Sequence, residues 1–540
     1  MVDVLLIQPP IRDFYLTTKR TVPYGLGCIA EALAAEGFSV ALHDALAGGK
    51  TRPRPLPRSL AYLEDYYGDP DVSPFGLFHQ FRHYGHSFAH IARMAAESGA
   101  FLIGISSLFT AYANEALETA AAVRESCPGA FIVMGGHHPT EMPEAVLAHS
   151  AVDAVLRGEG EVGMPVLARF LKAGRDLTSI PGIALRRSSL APMVLPPAVM
   201  ATLDHSPPPS LSWYHDRHYR RNGRVSLTLV ASRGCPMACS YCSVGRHSYL
   251  PYRRRSVDAV LAEIRAAAAC GPLGFIDFED ENLTLDRNAF TDLINGIRRI
   301  FGDSPPELRA MNGLYPPSLD DAMAGAMAKA GFRTLNLSLG SASAVQCRRF
   351  NRAPVQEAFD GALAAARRHG LAAVGYIIVG APGQTARESV EDLLYLCERR
   401  VLAGVSVFYP APGSPDFDRC RRLGLLPQDV AAYRSTAIPI SDTTSRLETL
   451  TLLRLGRLVN FMKQLSDDEA AVDALPRGSA PPGRAATRRR AGKALLRRFI
   501  DGDGIFGLSP DGEPYRHHVS RRVVQHFLNR FDPEQLCGTR

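Results

Sequence analysis

RVSLTLVASRGCPMACSYC, residues 224–242, is the stretch on which the reading of this chain turns. Its opening half reads as a strand, and directly behind it Cys235, Cys239 and Cys242 are crowded into one loop. Three thiolates at a strand end can converge on a single site. Iron–sulfur clusters usually take four cysteines, so three leave one iron open to an outside ligand. Such a vacancy is what separates a catalytic metal site from a structural one. A structural zinc site would need a fourth ligand, for which His247 is the nearest candidate, but the spacing is not the paired C-x-x-C form.

Downstream of this stretch, strand patterns begin at Gly274, Glu307, Thr334, Ala373 and Val405, and helical patterns cover 257–269, 288–300, 319–330, 355–369 and 386–399. Six strands alternating with five helices predict a partial or complete (β/α)6 barrel of TIM type, with its chemistry at the carboxyl ends of the strands. Upstream, VDVLLIQ from Val2, SVALHD from Ser39, FLIGISS from Phe101, FIVMGG from Phe131 and VDAVLRG from Val152 alternate with helices around 24–36 and 115–124. This order predicts an α/β domain with a doubly wound, Rossmann-like parallel sheet. Ligands of such sheets sit beyond the carboxyl ends of the strands, where the loops carry Pro10, Ser106, Ser107, Gly135, Gly136, His137, Gly158, Glu159 and Gly160.

The domains expected are a doubly wound unit over 1–175, a proline-rich connector over 176–222, the barrel over 223–440 and a mainly helical segment over 441–540. An insertion at 49–99, rich in aromatics and histidines, reads either as an active-site cap or as a helical excursion with its own small core. The Pro/Gly/Ala-rich stretch 476–487 reads as a flexible linker.

Composition narrows the function classes. A net charge of +7 on 540 residues is too small for a global nucleic-acid field, so no stable nucleic-acid partner is expected. No apolar run reaches the ~20 residues that span a bilayer, and MVDVLLIQPP lacks the flanks of a signal peptide, so a cytoplasmic chain without a transmembrane segment is expected. Seven further cysteines are scattered without framework spacing and read as reduced thiols.

C-x3-C-x2-C with Tyr241 before the last cysteine resembles the signature of the radical S-adenosylmethionine superfamily. VPYGLGCIAEAL, the GGHHP turn and LRGEGE, upstream of that core, resemble the cobalamin-binding half of its class B, methyltransferase-like members. The resemblance runs from Met1 to about Ile440 and implies three cofactors: a [4Fe-4S] cluster on Cys235, Cys239 and Cys242, S-adenosylmethionine on its open iron, and cobalamin. It implies further that Asp280 and Glu281 bind the methionine amino group, that Ser341 contacts the cosubstrate, and that Gly375, Ile377 and Gly380 lie beside adenine. Gly340 stands where relatives carry glutamate, and Gln384 departs in the same way. The Asp-x-His-x-x-G motif that supplies a lower cobalt ligand is absent, so no histidine on cobalt is expected from this domain.

The function this implies is methylation of an unactivated carbon of a small-molecule, lipid or peptide substrate, with an external flavodoxin- or ferredoxin-type electron donor. Radical rearrangement, cyclisation or oxidation with the same cofactors is the alternative within the enzyme class. Two other readings stay open: an RNA-modifying enzyme using Arg488 to Arg490, and a cobalamin or iron–sulfur sensor without turnover. The substrate is not legible.

Overall fold

The computed structural model describes residues 1–14, 22–48, 51–67, 70–77, 80–187, 190–205, 208–214, 216–220, 223–472, 484–502 and 504–539. Residues 476–483 of the expected linker lie outside these, and 484–487 open a helix instead.

The N-terminal sheet is built from β1 (Val4–Gln8), β2 (Val40–Asp44), β3 (Leu102–Ser106), β4 (Phe131–Gly135) and β5 (Ala154–Leu156), all parallel, in the order β2-β1-β3-β4-β5. This is the doubly wound order in which the strand order reverses between β1 and β3, leaving a crevice at their carboxyl ends. The period of two in these apolar runs fills two cores. Leu5, Ile7, Ile103 and Ile105 face α2 (Phe88–Ser98) and α3 (Ala113–Ser126), while Val4, Leu6, Leu102 and Val133 face α1 (Tyr24–Ala35) on the other side. The His137–Glu141 turn of helix, α4, follows β4, and α5 (Gly160–Lys172) follows β5.

Two short antiparallel strands, β6 (Ile183–Leu185) and β7 (Met193–Val194), extend the sheet beyond β5. They lie inside the stretch expected to be a connector. Runs of two or three residues carry too little alternation to be read as strands.

The barrel consists of two parallel arcs, β8 (Val225–Leu229), β9 (Leu273–Phe278) and β10 (Glu307–Arg309), then β11 (Thr334–Gly340), β12 (Ala372–Val379) and β13 (Leu402–Val407). Single bridges from Leu308 to Phe332 and from Leu314 to Leu337 join the arcs, so the six strands curve as one open wall. The expected helices between them are present as α6 (Val257–Ala269), α7 (Arg287–Phe301), α8 (Asp321–Ala330), α9 (Gln356–Arg368) and α10 (Ala386–Cys397). Serine or aspartate caps at Ser256, Asp286 and Asp320 start the first three by accepting from a backbone N–H of the first turn.

The insertion is less independent than expected. Residues 82–84 pair with 11–13 and 52–53 in a small antiparallel sheet, and Leu60, Leu63, Tyr67 and Phe81 share their core with Ala431, Ala437 and Ile438 beyond the barrel. The C-terminal segment closes on the same region: His517 Nε2 lies 2.9 Å from Asp71 Oδ2 and 3.1 Å from buried Arg454. No helix among the described residues is long and apolar enough to cross a membrane.

Candidate functional site

The cysteine loop hangs from a short neck. Beyond β8, Ser232 and Arg233 pair antiparallel with Arg254 and Arg253, which encloses residues 234–252. Gly234 opens the loop at φ 81°, and a β-carbon there would meet the Pro251 carbonyl at 2.5 Å, so glycine is required. On the far side, Ser240 N–H donates to the Phe350 carbonyl at 2.9 Å and Ser240 Oγ donates to Asp416 Oδ2 at 2.7 Å. Tyr241 packs edge-on against Phe350 with ring centroids 5.0 Å apart, and Asn351 donates to the Ala238 carbonyl at 3.0 Å. The backbone that presents the sulfurs is therefore fixed at both ends.

Burial raises the Cys235 thiol and pushes Cys242 up to about 11, each further raised by Cys239 and Glu281. Taking a metal would displace those protons. One tetrahedral ion with Zn–S bonds of about 2.3 Å would hold its sulfurs about 3.8 Å apart. The three sulfurs do not all converge within 4.8 Å of one another, a wider spacing than a single ion would hold. His247, the candidate fourth zinc ligand, bonds through Nε2 to the Cys242 carbonyl at 2.5 Å. Two further side chains reach the sulfurs: Asn282 Nδ2 lies 3.8 Å from Cys235 Sγ, and Arg352 Nη1 lies 3.9 Å from Cys239 Sγ and 3.3 Å from Tyr241 Oη. Arg352 went unread because nothing in its spacing ties it to a loop more than a hundred residues earlier.

The carboxyl edges of the two sheets meet here. Arg233 donates to Glu159 and Glu161, both at 2.7 Å, and Arg253 donates to Glu159 at 2.8 Å. Glu159 also accepts from Met200 N–H at 2.6 Å. Burial alone would raise the Glu159 carboxyl, but the two guanidinium groups outweigh it and hold it below the ordinary carboxylate range. A second contact joins α4 to the turn after β13, where Gly413 abuts the Glu141 carboxylate. Half-exposed apolar side chains, Leu108 and Phe109 beyond β3 and Met311 beyond β10, stand at these strand ends. Such open apolar surface marks a place where a ligand sits.

Several residues expected to contact cofactors have partners within the protein. Glu159 is the interdomain clamp just described. Gly158 allows close approach of the Ala198 backbone, where a β-carbon would meet the carbonyl at 2.1 Å, and Gly160 packs on Ile29 of α1. Asp280 is buried, accepts from Ala231 N–H at 3.1 Å and Ser232 Oγ at 2.6 Å, and braces the neck. Burial pushes its carboxyl up to about 6. Ser341 is fully buried and donates to Asp392 at 2.9 Å. Gly375 and Ile377 lie on the helix-facing side of β12, Gly375 against Phe359, Leu396 and Val401, while Tyr376 and Ile378 occupy the opposite, half-exposed side. Gly380 follows that strand at φ 71° against Thr449.

The remaining expected residues stand at the strand ends. Glu281 is exposed, accepts from Gly234 N–H at 3.1 Å, and has its carboxyl raised by partial desolvation. Ser106, Ser107, Gly135, Gly136 and His137 gather at the ends of β3 and β4, with Pro10 buried beyond β1. Gly136, at φ 112°, lets the Ser107 carbonyl approach to within 2.8 Å of where a β-carbon would be. Ser107 Oγ and His137 Nε2 are buried there with no hydrogen-bond partner, whereas His138 bonds Thr110 at 3.2 Å. Burial lowers the His137 pKa, keeping the ring neutral. Orphaned buried polar atoms at the crevice of a doubly wound sheet fit a polar cofactor that would satisfy them.

Together the fold and the site define a two-domain α/β metallocofactor enzyme, with a three-cysteine barrel docked edge to edge on a nucleotide-type sheet. Residues 18–168 match the B12 binding domain and residues 229–396 match the radical SAM superfamily, so the chain is a radical SAM enzyme of the cobalamin-binding kind. Its cofactors are a [4Fe-4S] cluster, S-adenosylmethionine and cobalamin. The chain is 26% identical over 331 residues to an uncharacterised methyltransferase of Pyrococcus horikoshii, covering 61% of this chain and 71% of the relative. It is 26% identical over 475 residues to cytidylyl-2-hydroxyethylphosphonate methyltransferase of Streptomyces wedmorensis, covering 80% and 84%. Among solved structures it resembles the radical S-adenosylmethionine methyltransferase TsrM of Kitasatospora setae, with a TM-score of 0.58 and 18% identity over 80% of this chain and 81% of that one.

Proposed function

We propose that the protein transfers a methyl group to a carbon of a small-molecule substrate held between the two sheet edges. The observation that carries this is the three-cysteine loop, with no fourth ligand side chain converging on it among the described residues, clamped against the carboxyl edge of the B12 binding domain. When bound, the cluster and S-adenosylmethionine supply a radical, and cobalamin supplies the methyl group. Cys235, Cys239 and Cys242 would hold the cluster. Glu281, beside Gly234, would receive the cationic amino group of the cosubstrate, and Asn282 and Arg352 would donate toward the sulfurs. Such donation stabilises the more negative, reduced state of a cluster.

On the other edge, Ser107 and His137 would bind cobalamin through their unpartnered atoms. The open apolar side chains, Leu108, Phe109 and Met311, would cover the substrate and exclude water from the reacting carbon. Methyltransferase names among the relatives support methylation over rearrangement. A flavodoxin- or ferredoxin-type protein would deliver the electron.

The test is anaerobic reconstitution with iron, sulfide and cobalamin, followed by assay with methyl-labelled S-adenosylmethionine and candidate small molecules. The expected result is 5'-deoxyadenosine formation and a product heavier by one labelled methyl, both lost in Cys239→Ala. Equal 5'-deoxyadenosine from the variant would remove the cluster reading. A substrate-dependent product without the label would remove methylation alone.

A further inference from the structure

Outside the cofactor crevice, three imidazoles from separate segments come together at the edge of the N-terminal sheet. His43 is the penultimate residue of β2, His86 lies in the return from the insertion, and His90 is in the first turn of α2. One ring nitrogen from each lies within 4.8 Å of the other two, and all three residues are half-buried. The His86 and His90 ring centroids are 4.3 Å apart, and His43 stacks on His86 at 5.3 Å. The geometry points to a divalent transition-metal site, of the zinc class, made by His43, His86 and His90.

Two features separate this cluster from three rings packed by chance. His86 Nδ1 and His43 Nε2 are 3.4 Å apart. That is long for a hydrogen bond, which centres near 2.9–3.0 Å, but two Zn–N bonds of about 2.05 Å at the tetrahedral angle place their nitrogens about 3.35 Å apart. The backbone holds the same arrangement independently of the rings. His86 N–H donates to the Ala45 carbonyl at 2.7 Å, His83 Nε2 bonds the His86 carbonyl at 2.9 Å, and Ser87 caps α2 through His90 N–H.

Neutral imidazole selects zinc, copper, nickel or iron over calcium and magnesium. Three such ligands leave a fourth position for water. An ion there would pin the return of the insertion to the sheet edge, next to β1 and one strand further from the unpartnered Ser107 and His137. The three ligands are none of the residues assigned to cobalamin above, and the proposal does not depend on the methyltransferase reading.

One side chain opposes the ion. Arg93 Nη2 donates to His90 Nδ1 at 2.8 Å and occupies that lone pair. Arg93 is largely exposed, however, and Glu97 one turn along lies 3.9 Å away, so the guanidinium can move to the carboxylate when a metal enters. Arg93 acts as a competitor for His90, and its removal should strengthen binding.

The test uses the full chain after reconstitution with iron, sulfide and cobalamin, then equilibration with zinc chloride and removal of excess. Metal content and the zinc X-ray absorption edge are read together. The wild type should hold about one zinc with the scattering pattern of imidazole. His86→Ala and His90→Ala should each lower zinc affinity by at least about tenfold while iron and cobalamin contents stay unchanged. No zinc in the wild type, sulfur-dominated scattering, or full zinc in both variants would overturn the site. Should the histidine variants also lose iron and cobalamin, Arg93→Ala decides: tighter zinc binding against a chelator supports the site, and unchanged affinity overturns it.

Discussion

The two sheet edges that face each other are finished differently. On the barrel side three polar residues are already bonded within the protein, Asp280 to Ala231 and Ser232, Ser341 to Asp392, and Gln384 to the Ile378 carbonyl at 3.0 Å, while Asn282 Oδ1 and Arg352 Nε beside the sulfurs are buried without partners. On the N-terminal side Ser107 Oγ and His137 Nε2 are buried without partners. An unpartnered buried polar atom costs about 1–3 kcal/mol. The barrel edge is thus a frame braced through Asp280, Ser341 and Gln384 whose openness is gathered at its sulfurs and the Asn282 and Arg352 atoms beside them, while the N-terminal edge leaves hydrogen-bonding capacity at Ser107 and His137. The difference predicts which substitutions unfold the protein and which leave it folded but empty.

The largest effect is expected at the clamp between the edges. Glu159→Ala takes the carboxylate partner from Arg253, leaving it the Met200 carbonyl, and leaves Arg233 with Glu161 alone, in a mostly buried setting where breaking an ion pair on one side costs about 3–5 kcal/mol. Chemical denaturation should show a midpoint lowered by that amount, and a two-step transition if the domains separate. The pH dependence has a definite sign. The Glu159 carboxyl is depressed below its ordinary value of 4.5 in the folded chain, so its contribution is present above that value and is lost as pH falls through the folded value. A Glu159→Gln variant should lose less stability on acidification than the wild type.

Bracing of the neck comes next. Asp280→Ala leaves the Ala231 N–H and the Ser232 hydroxyl without an acceptor, for a loss of about 2–3 kcal/mol and a lower iron content after reconstitution. Here the pH trend runs the other way. Burial raises this carboxyl from 3.8 to about 6, so the folded state holds its proton more tightly, and stability falls as pH rises from 3.8 through about 6. Two pK units correspond to about 3 kcal/mol. Asp280→Asn should flatten that decline.

The same contrast separates what the sequence disclosed from what it concealed. Long alternating runs such as VLLIQ of β1 and TLNLSLG of β11 announced both sheets, because burial on both faces demands apolar residues along the whole strand. The cysteine loop was legible because its ligands are adjacent in the chain. Glu159 was visible as a loop acid, but its partners Arg233 and Arg253 were not, since an ion pair between domains leaves no spacing. Gly375 and Ile377 were expected from resemblance, which carries no parity: on a strand, a shift of one residue turns a side chain to the other face, and on β12 Tyr376 and Ile378 occupy the half-exposed side. His43, His86 and His90 were hidden for the same reason as the clamp, being brought together by a sheet edge and the end of an insertion.

A smaller effect is expected at Ser341. Ser341→Ala removes one neutral donor to the Asp392 carboxylate, which keeps the Ala342 N–H at 2.7 Å, so the loss is about 1 kcal/mol. If Ser341 acts only as scaffold, S-adenosylmethionine affinity measured by equilibrium dialysis stays unchanged. A marked loss of affinity in a folded variant would return Ser341 to the cosubstrate site.

The smallest effect on folding, and the sharpest contrast, belongs to Ser107 and His137. Since neither orphaned atom has an internal partner, Ser107→Ala and His137→Phe remove no hydrogen bond made by Ser107 Oγ or His137 Nε2, and they relieve the desolvation of those atoms. Thermal midpoints of the cobalamin-free protein should therefore stay level or rise by an amount worth about 0.5 kcal/mol. Cobalamin binding should weaken about five- to tenfold in each variant, because a hydrogen bond of about 1 kcal/mol is lost only when the cofactor is present. Absorbance titration of the corrin reads the affinity, and a melting curve without cofactor reads the fold. A variant that melts early yet binds normally would assign the two residues to the scaffold and remove the contrast between the edges. Unchanged melting with weakened binding would place the cofactor over the β3 and β4 ends, where the chain leaves those two atoms unsatisfied.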